Sequence, residues 1–179
     1  MTDEVVFDKG EAQNEPQRKD NRMTKKHWLG MGLFTAAIVA LDQWTKALVR
    51  AEIPYGTGVQ LIPGVVQLTY VRNTGAAFSM LRGARWFFLG LLVVFFVVVA
   101  VLIGKKVIKK PAELWCLAAI SGGAIGNAID RALAGEVTDM IEPLFVNFAV
   151  FNVADIFITC GAIALAVFIL FFDREKSNK

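Results

Sequence analysis

The sequence predicts an α-helical integral membrane protein with four transmembrane helices and a small β-sheet cradle in the first extracytoplasmic loop. Of its 179 residues, 55% are apolar and only 20% are charged, and the apolar residues fall in four long runs. A soluble domain is usually about 45–50% apolar and about 25% charged, so the composition excludes an ordinary soluble globule. The net charge of +3 is modest, and we expect no nucleic-acid partner.

The charged and apolar segments divide the chain into three parts. Residues 1–26 contain six acidic and six basic side chains with almost no apolar periodicity, which predicts a disordered cytoplasmic tail. A four-span domain over residues 27–172 follows, and residues 173–179 form a short C-terminal tail. The second span is free of charge and close to the roughly 20 residues that a helix needs to cross a bilayer. The predicted spans are 28–49, 86–104, 114–130 and 151–172.

Lysine and arginine predict the orientation of these spans, because short loops rich in them stay on the cytoplasmic side. The N-terminal tail, the loop 105–113 and the C-terminal tail contain thirteen of the nineteen basic residues. The loops 50–85 and 131–150 contain five, all arginine. We therefore expect both termini in the cytoplasm and these two loops outside it.

The first outer loop is the region with β-strand character. Residues 59–62 and 65–71 are rich in β-branched side chains, and Pro63-Gly64 between them is a typical turn sequence. This pattern predicts a small hairpin or curled sheet on the outer membrane surface. An irregular loop is the alternative.

Several polar residues lie within or beside the apolar spans, where an ionisable group costs about 2.5–3.5 kcal/mol on insertion scales. Asp42 and Lys46 are four residues apart, so they share a helix face and can pair. Such a pair either belongs to a functional site or only neutralises its own two charges within the span. Asn127, Asp130 and Arg131 share a face at the outer end of the third span, as part of a site or as an interfacial cap with a snorkelling arginine.

Two further carboxylates are predicted at the same depth. Asp139 lies in the second outer loop, and Asp155 lies seventeen residues, about 26 Å of helix, before Phe172. Two acids at a partly dry site cannot both ionise easily, so one keeps a proton and the pair can act on water as base and acid. Helix caps are the alternative explanation for both aspartates.

Other reaction chemistries have less support in the sequence. His27 is the only histidine, and Cys116 and Cys160 lie in different spans, so no metal-ligand pattern or Cys–His pair is predicted. A Ser–Lys dyad with Lys46 would need Ser79 or Ser121 as its nucleophile.

Five short motifs follow one another along the chain, and the first is Asp42-Gln43 followed by Lys46. The other four are NTGAAFS at 73–79, GNAIDR at 126–131, GEVTD at 135–139 and FNVAD at 151–155. Together these motifs resemble the signature of the lipoprotein signal peptidase family, the bacterial signal peptidase II, and the resemblance covers residues 28–172. Met140 and Ile156 depart from the residues that the family often has there, Phe and Ser.

The resemblance implies a four-helix aspartyl endopeptidase of the bacterial inner membrane, with its active site at the outer face. Such enzymes remove the signal peptide from diacylglyceryl-modified prolipoproteins, cutting just before the lipid-modified cysteine, and need no cofactor. Asp139 and Asp155 match the catalytic pair. Residues matched to substrate binding are Asn73, Asn127, Arg131 and Asn152, and those matched to structural support are Asp42, Lys46 and Asp130. We expect a monomer in contact with membrane lipid, with Phe78 in a flap over the site.

Two other classes of protein remain as alternatives. A small four-helix transporter coupled to protons would use intramembrane carboxylates as a relay, and would spread them through the depth of the bilayer. An assembly protein would pack through the Gly122 and Gly126 pair, and would leave Asp139 and Asp155 without a role.

Overall fold

The computed structural model of the protein, which describes residues 24–75, 81 and 83–172, consists of α-helices and one small antiparallel sheet. The N-terminal tail up to residue 23, Phe78 and the C-terminal tail 173–179 lie outside the described residues. The elements in chain order are α1 (Lys25–Glu52), β1 (Gly58–Ile62), β2 (Val66–Asn73), α2 (Arg85–Gly104), α3 (Pro111–Ala134), β3 (Val137–Pro143) and α4 (Val153–Val167), which continues as a π-helical turn (Phe168–Phe172).

Three of the described helices are long and apolar enough to cross a membrane: Arg85–Gly104, Pro111–Ala134 and Val153–Phe171. The predicted helical membrane-type fold is therefore confirmed. At 28 residues, α1 is the longest helix, but Asp42, Gln43 and Lys46 interrupt its apolar run and lower its hydropathy. It begins at Lys25, two residues inside the predicted tail.

The central helix is α3, which packs against α1, α2 and α4. Two of its glycines allow close approach. A Cβ atom at Gly122 would lie 2.8 Å from Cβ of Ile38 in α1, and one at Gly123 would overlap the carbonyl oxygen of Ala154 in α4. The glycines of α3 therefore serve close packing of helices within the chain.

The strands form one sheet in the order β1-β2-β3, with both pairs antiparallel. The predicted hairpin of β1 and β2 is confirmed, but placing the whole sheet in the first outer loop was wrong, because the third strand comes from the second. In the register of β2 with β3, Val71 lies opposite Asp139 and Asn73 opposite Val137. The edge of β2 has backbone groups that need partners, and β3 supplies them.

The sheet is attached to the helices at two points. Val49, Ile53, Tyr70 and Met140 form a buried cluster that joins the end of α1 to β2 and β3. Phe151 forms an isolated bridge with Ile141 in β3. For this reason α4 begins at Val153, two residues after the predicted start of the fourth span. This bridge brings the beginning of α4 beside Asp139.

We predict that Gly123→Ala destabilises the protein by about 1–3 kcal/mol, the usual cost of overpacking a close contact, because the new methyl group meets the Ala154 carbonyl. Thermal unfolding in detergent measures this loss. The matched control is Gly90→Ala in α2, where an added Cβ meets nothing within 4 Å. Equal melting temperatures for the two variants would contradict the close contact of α3 with α4.

Candidate active site

Asp139 lies on β3 and is almost completely buried, with 3% of its surface exposed. Two side-chain amides hold its carboxyl group: Nδ2 of Asn73 donates to Oδ2 at 2.9 Å, and Nδ2 of Asn152 donates to Oδ1 at 2.7 Å. Burial raises the pKa of Asp139 from 3.8 to about 6, and the negative charge of Asp155 adds to this rise. A carboxyl group with this pKa is able to keep a proton at weakly acidic pH.

Asp155 lies in the first turn of α4, where Asn152 is the N-cap residue. The backbone N–H of Asp155 donates to Oδ1 of Asn152 at 3.0 Å, and the backbone N–H of Asn152 donates to Oδ2 of Asp155 at 3.1 Å. This reciprocal capping box satisfies two of the free N–H groups at the helix end. The positive end of the helix dipole also favours a negative charge at this position.

Asn127, on α3, connects Asp155 to the rest of the site. Its Nδ2 donates to Oδ1 of Asp155 at 2.7 Å, while its Oδ1 accepts from Nδ2 of Asn152 at 3.1 Å and from Nζ of Lys46 at 2.9 Å. Asn152 therefore touches both aspartates, and its side chain is fully buried. Each of the four carboxylate oxygens of the two aspartates accepts a hydrogen bond from an N–H group.

A buried ion cluster lies directly below these amides. The ammonium group of Lys46 is 2.8 Å from Oδ2 of Asp42 and 3.1 Å from Oδ2 of Asp130. Gln43 donates from Nε2 to Asp130, at 3.1 Å, and to the carbonyl of Gly126, at 3.0 Å. The Asp42–Lys46 pair predicted from their spacing is thus present, with Asp130 as a second carboxylate partner.

Arg131 faces the other side of α3. Its Nη2 donates to the carbonyl of Gly75 at 2.9 Å, its Nη1 donates to the carbonyl of Asn127 at 3.3 Å, and its guanidinium lies 4.5 Å from the ring centroid of Phe88. Among the residues that the structure describes, none is a hydrogen-bond partner of its buried Nε. Arg131 therefore ties the end of β2 and the beginning of α2 to α3.

A cleft of about 970 Å³ opens beside the two aspartates. At one end it is lined by all six residues predicted for catalysis and substrate binding: Asn73, Asn127, Arg131, Asp139, Asn152 and Asp155. The remaining wall is mostly apolar and comes from α2, α3, α4 and the segment 148–151 before α4. It includes Leu91, Phe95, Val98 and Ile120. The predicted supporting residues Asp42, Lys46 and Asp130 are buried beneath the polar end rather than exposed in it.

The sequence did not indicate two parts of this arrangement. The apolar wall formed by Phe88 and Phe95 of α2 has no signal beyond the general hydropathy of that helix. The backbone N–H of Thr138 donates to Asp130 at 3.2 Å. This contact depends on β3, a strand that the sequence did not predict. Among the residues that the structure describes, no three His, Cys, Asp or Glu side chains come together as metal ligands.

The site therefore brings two carboxyl groups held by amides to the head of an apolar cleft, in a helical membrane-type fold. Comparison with known proteins identifies the family. A family model described as Signal peptidase (SPase) II matches residues 34–171, and the chain belongs to this signal peptidase II family. It is therefore a peptidase.

Individual relatives agree with this assignment. The chain is 38% identical over 146 residues to a lipoprotein signal peptidase of Brevibacillus brevis, a match covering 82% of this chain and 97% of the relative. It is 40% identical over 147 residues to a lipoprotein signal peptidase of Enterococcus faecalis, covering 82% of this chain and 90% of the relative. None of these findings supports the transporter alternative.

Solved structures also resemble the chain, among them two that are described as bacterial membrane enzymes. The first has a TM-score of 0.75 and 28% sequence identity, with 84% of this chain and 92% of that chain covered. The second has a TM-score of 0.72 and 29% identity, with 79% of this chain and 93% of that chain covered.

We predict that Asp139 makes folding stability depend on pH. Because the pKa of Asp139 is about 6 in the folded protein and about 3.8 without the fold, the folded state binds the proton more tightly. Stability of about 3 kcal/mol is therefore present below pH 4 and is lost as the pH rises through about 6. Melting temperatures in detergent from pH 4 to 7.5 should fall less steeply for Asp139→Asn than for the wild type. Parallel curves would contradict the prediction.

Proposed function

We propose that the protein is an aspartyl endopeptidase that removes the signal peptide from diacylglyceryl-modified prolipoproteins, cutting just before the lipid-modified cysteine. The observation that carries this proposal is the joint placement of Asp139 and Asp155, both lining the head of the cleft and linked through Asn152. The matched relatives are named lipoprotein signal peptidases, which supports this class of substrate.

In the proposed reaction the two aspartates act on one water molecule. Asp155 is the ionised base and takes a proton from the water as its oxygen attacks the carbonyl carbon of the scissile bond. Asp139 holds the shared proton and donates it to the carbonyl oxygen. The resulting diol collapses when Asp155 gives its proton to the leaving nitrogen and Asp139 takes a proton from one diol hydroxyl. The C–N bond breaks, and both carboxyl groups return to their starting states.

The surroundings of the two carboxyl groups support these different roles. Asp155 accepts a backbone N–H and lies at the N-terminus of α4, where negative charge is favoured. Asp139 accepts only from side-chain amides among its described hydrogen bonds, and burial raises its pKa.

The amides and Arg131 have two roles in this proposal. Asn73, Asn127 and Asn152 orient the aspartates and border the position of the substrate backbone. Arg131 borders the same end of the cleft, where its guanidinium group would bind a carbonyl or ester oxygen of the lipid-linked cysteine.

The apolar wall is suited to a substrate that carries acyl chains. Along α2 it extends from Phe88 to Val98, a distance of about 15 Å of helix. This is about half the thickness of the hydrocarbon core of a bilayer. Acyl chains lying along this wall would hold the scissile bond at the level of Asp139 and Asp155, which supplies the positioning that hydrolysis requires.

The proposal also includes the placement of the protein. We propose that α1 is a fourth transmembrane helix, that the protein lies in the bacterial inner membrane as a monomer, and that both termini are cytoplasmic. The distribution of Lys and Arg supports this orientation. The sheet and the aspartates then lie at the outer face.

We predict that Asp139→Asn and Asp155→Asn each lower the rate of cleavage by at least about a thousandfold and leave a folded protein. The double variant should be scarcely worse than either single variant, because the two residues act as a unit. Cleavage of a purified diacylglyceryl prolipoprotein in detergent measures this.

The matched control for these variants is Glu142→Gln. Glu142 lies on the same strand as Asp139 and accepts a hydrogen bond from Gln67, outside the cleft. It should cleave at the wild-type rate. Substantial activity in either aspartate variant would refute the aspartyl mechanism.

A second prediction concerns the lipid. A prolipoprotein with an unmodified cysteine should be cut at least about tenfold more slowly than the modified form, because it lacks the acyl chains that hold it in the cleft. Ala124→Phe places a bulky ring on the apolar wall and fills part of the cleft. It should slow cleavage of the modified substrate and so reduce the difference in cleavage rate between the two substrates. The two substrates are compared with each variant under identical conditions, and equal wild-type rates would show that the lipid is not recognised.

A further inference from the structure

The ammonium group of Lys46 contacts three side chains, and each leads to one of the two aspartates. Lys46 is fully buried and lies on α1, which carries neither Asp139 nor Asp155. Its oxygen partners are Asp42, Asp130 and Asn127, at 2.8, 3.1 and 2.9 Å.

The first connection leads to the beginning of α4. Oδ2 of Asp42 contacts Lys46, and Oδ1 of the same carboxylate accepts the backbone N–H of Ala154 at 3.0 Å. Ala154 is the residue directly before Asp155. This contact holds the peptide group between Val153 and Ala154, one residue before Asp155.

The second connection leads to β3 in the same way. Oδ2 of Asp130 contacts Lys46 and also accepts the backbone N–H of Thr138 at 3.2 Å. Thr138 is the residue directly before Asp139. Each of the two carboxylate partners of Lys46 therefore accepts the backbone N–H of the residue that precedes one of the two aspartates.

The third connection reaches Asp155 through its side chain. Because an ammonium group can only donate, Lys46 requires the oxygen of the Asn127 amide to point toward it. The Nδ2 group of Asn127 then points to Oδ1 of Asp155. A hydrogen-bonded chain of this kind polarises the amide and strengthens its donation to the carboxylate.

We propose that Lys46 is the positioning residue that sets the separation and orientation of Asp139 and Asp155, through Asp42, Asp130 and Asn127. This inference rests on the proposed function, since it assumes that the two aspartates perform the reaction. Stability alone does not account for the arrangement, because well-packed apolar residues often replace a buried ion cluster without loss of stability. Apolar residues could not hold the backbones of β3 and α4 in fixed positions relative to one buried group.

The experiment compares two Lys46 variants with a matched control. Lys46→Gln removes the charge, and the triple variant Lys46→Met, Asp42→Asn, Asp130→Asn removes the whole ion cluster while keeping side-chain oxygens that can accept from Ala154 and Thr138. The control is Arg50→Gln, which removes a partly exposed cation one turn further along α1. Arg50 lies 4.0 Å from Asp130 and donates to the hydroxyl of Thr138 at 2.9 Å, so this variant touches the second connection without removing the buried charge.

Three quantities are measured for each purified variant in detergent: the melting temperature, kcat for a diacylglyceryl lipopeptide, and the Kd of the same lipopeptide with a reduced, uncleavable scissile bond. We expect the triple variant to melt within about 5 °C of the wild type and to bind the analogue within threefold. We expect its kcat, and that of Lys46→Gln, to fall at least a hundredfold. Arg50→Gln should stay within threefold of the wild-type kcat.

Each of the other outcomes overturns the proposal. A folded Lys46 variant with kcat within threefold of the wild type would show that the ammonium does not position the pair. Loss of folding in both Lys46 variants, with Arg50→Gln intact, would assign the cluster to stability alone. Asp139→Asn and Asp155→Asn are assayed in parallel: if they stay active, the proposed function fails, and if they are inactive while Lys46→Gln is active, only the positioning role fails.

Discussion

The charge of Lys46 has to be balanced inside the protein, because neither a bilayer nor a packed helix interface offers water to solvate it. The residues that balance it come from different parts of the chain: Asp42 from its own helix, and Asp130 and Asn127 from α3. These partners in turn hold the backbone of β3 and α4. One buried ammonium group therefore joins four elements that are far apart in sequence, and glycines on α3 allow these elements to approach closely enough to reach it.

Patterns that depend on neighbours in sequence were predictable. The hydropathy of α2, the i,i+4 spacing of Asp42 and Lys46, and the Pro63-Gly64 turn between β1 and β2 are all local features, and the structure contains each of them. The two interpretations of Asp155 as a helix cap and as a member of a carboxylate pair were left open by its sequence position. The structure shows that they are compatible, because its Oδ2 completes the capping box while its Oδ1 faces Asn127.

Features that depend on distant residues were not predictable. β3 shows no clear alternation of apolar and polar residues, and its partner strand lies about 70 residues earlier, so nothing local marks it as a strand. One helix face was expected to carry Asn127, Asp130 and Arg131. This expectation was too coarse to separate Asp130 from Arg131. A step of one residue turns the side chain by about 100°, so Asp130 reaches the ion cluster while Arg131 reaches Gly75 and Phe88. Only the packing of the other helices around α3 separates these two directions.

The arrangement of α2 has a consequence for how a substrate arrives. This helix packs against α3, none of its residues is buried, and it stands across the cleft from α4. In the proposed orientation, the gap between α2 and α4 faces the hydrocarbon of the bilayer. A lipid-anchored protein can then enter sideways without leaving the membrane, so its search for the aspartates is diffusion in two dimensions. The local concentration that governs the encounter is that of the membrane surface, and the composition and fluidity of the lipids become part of the kinetics.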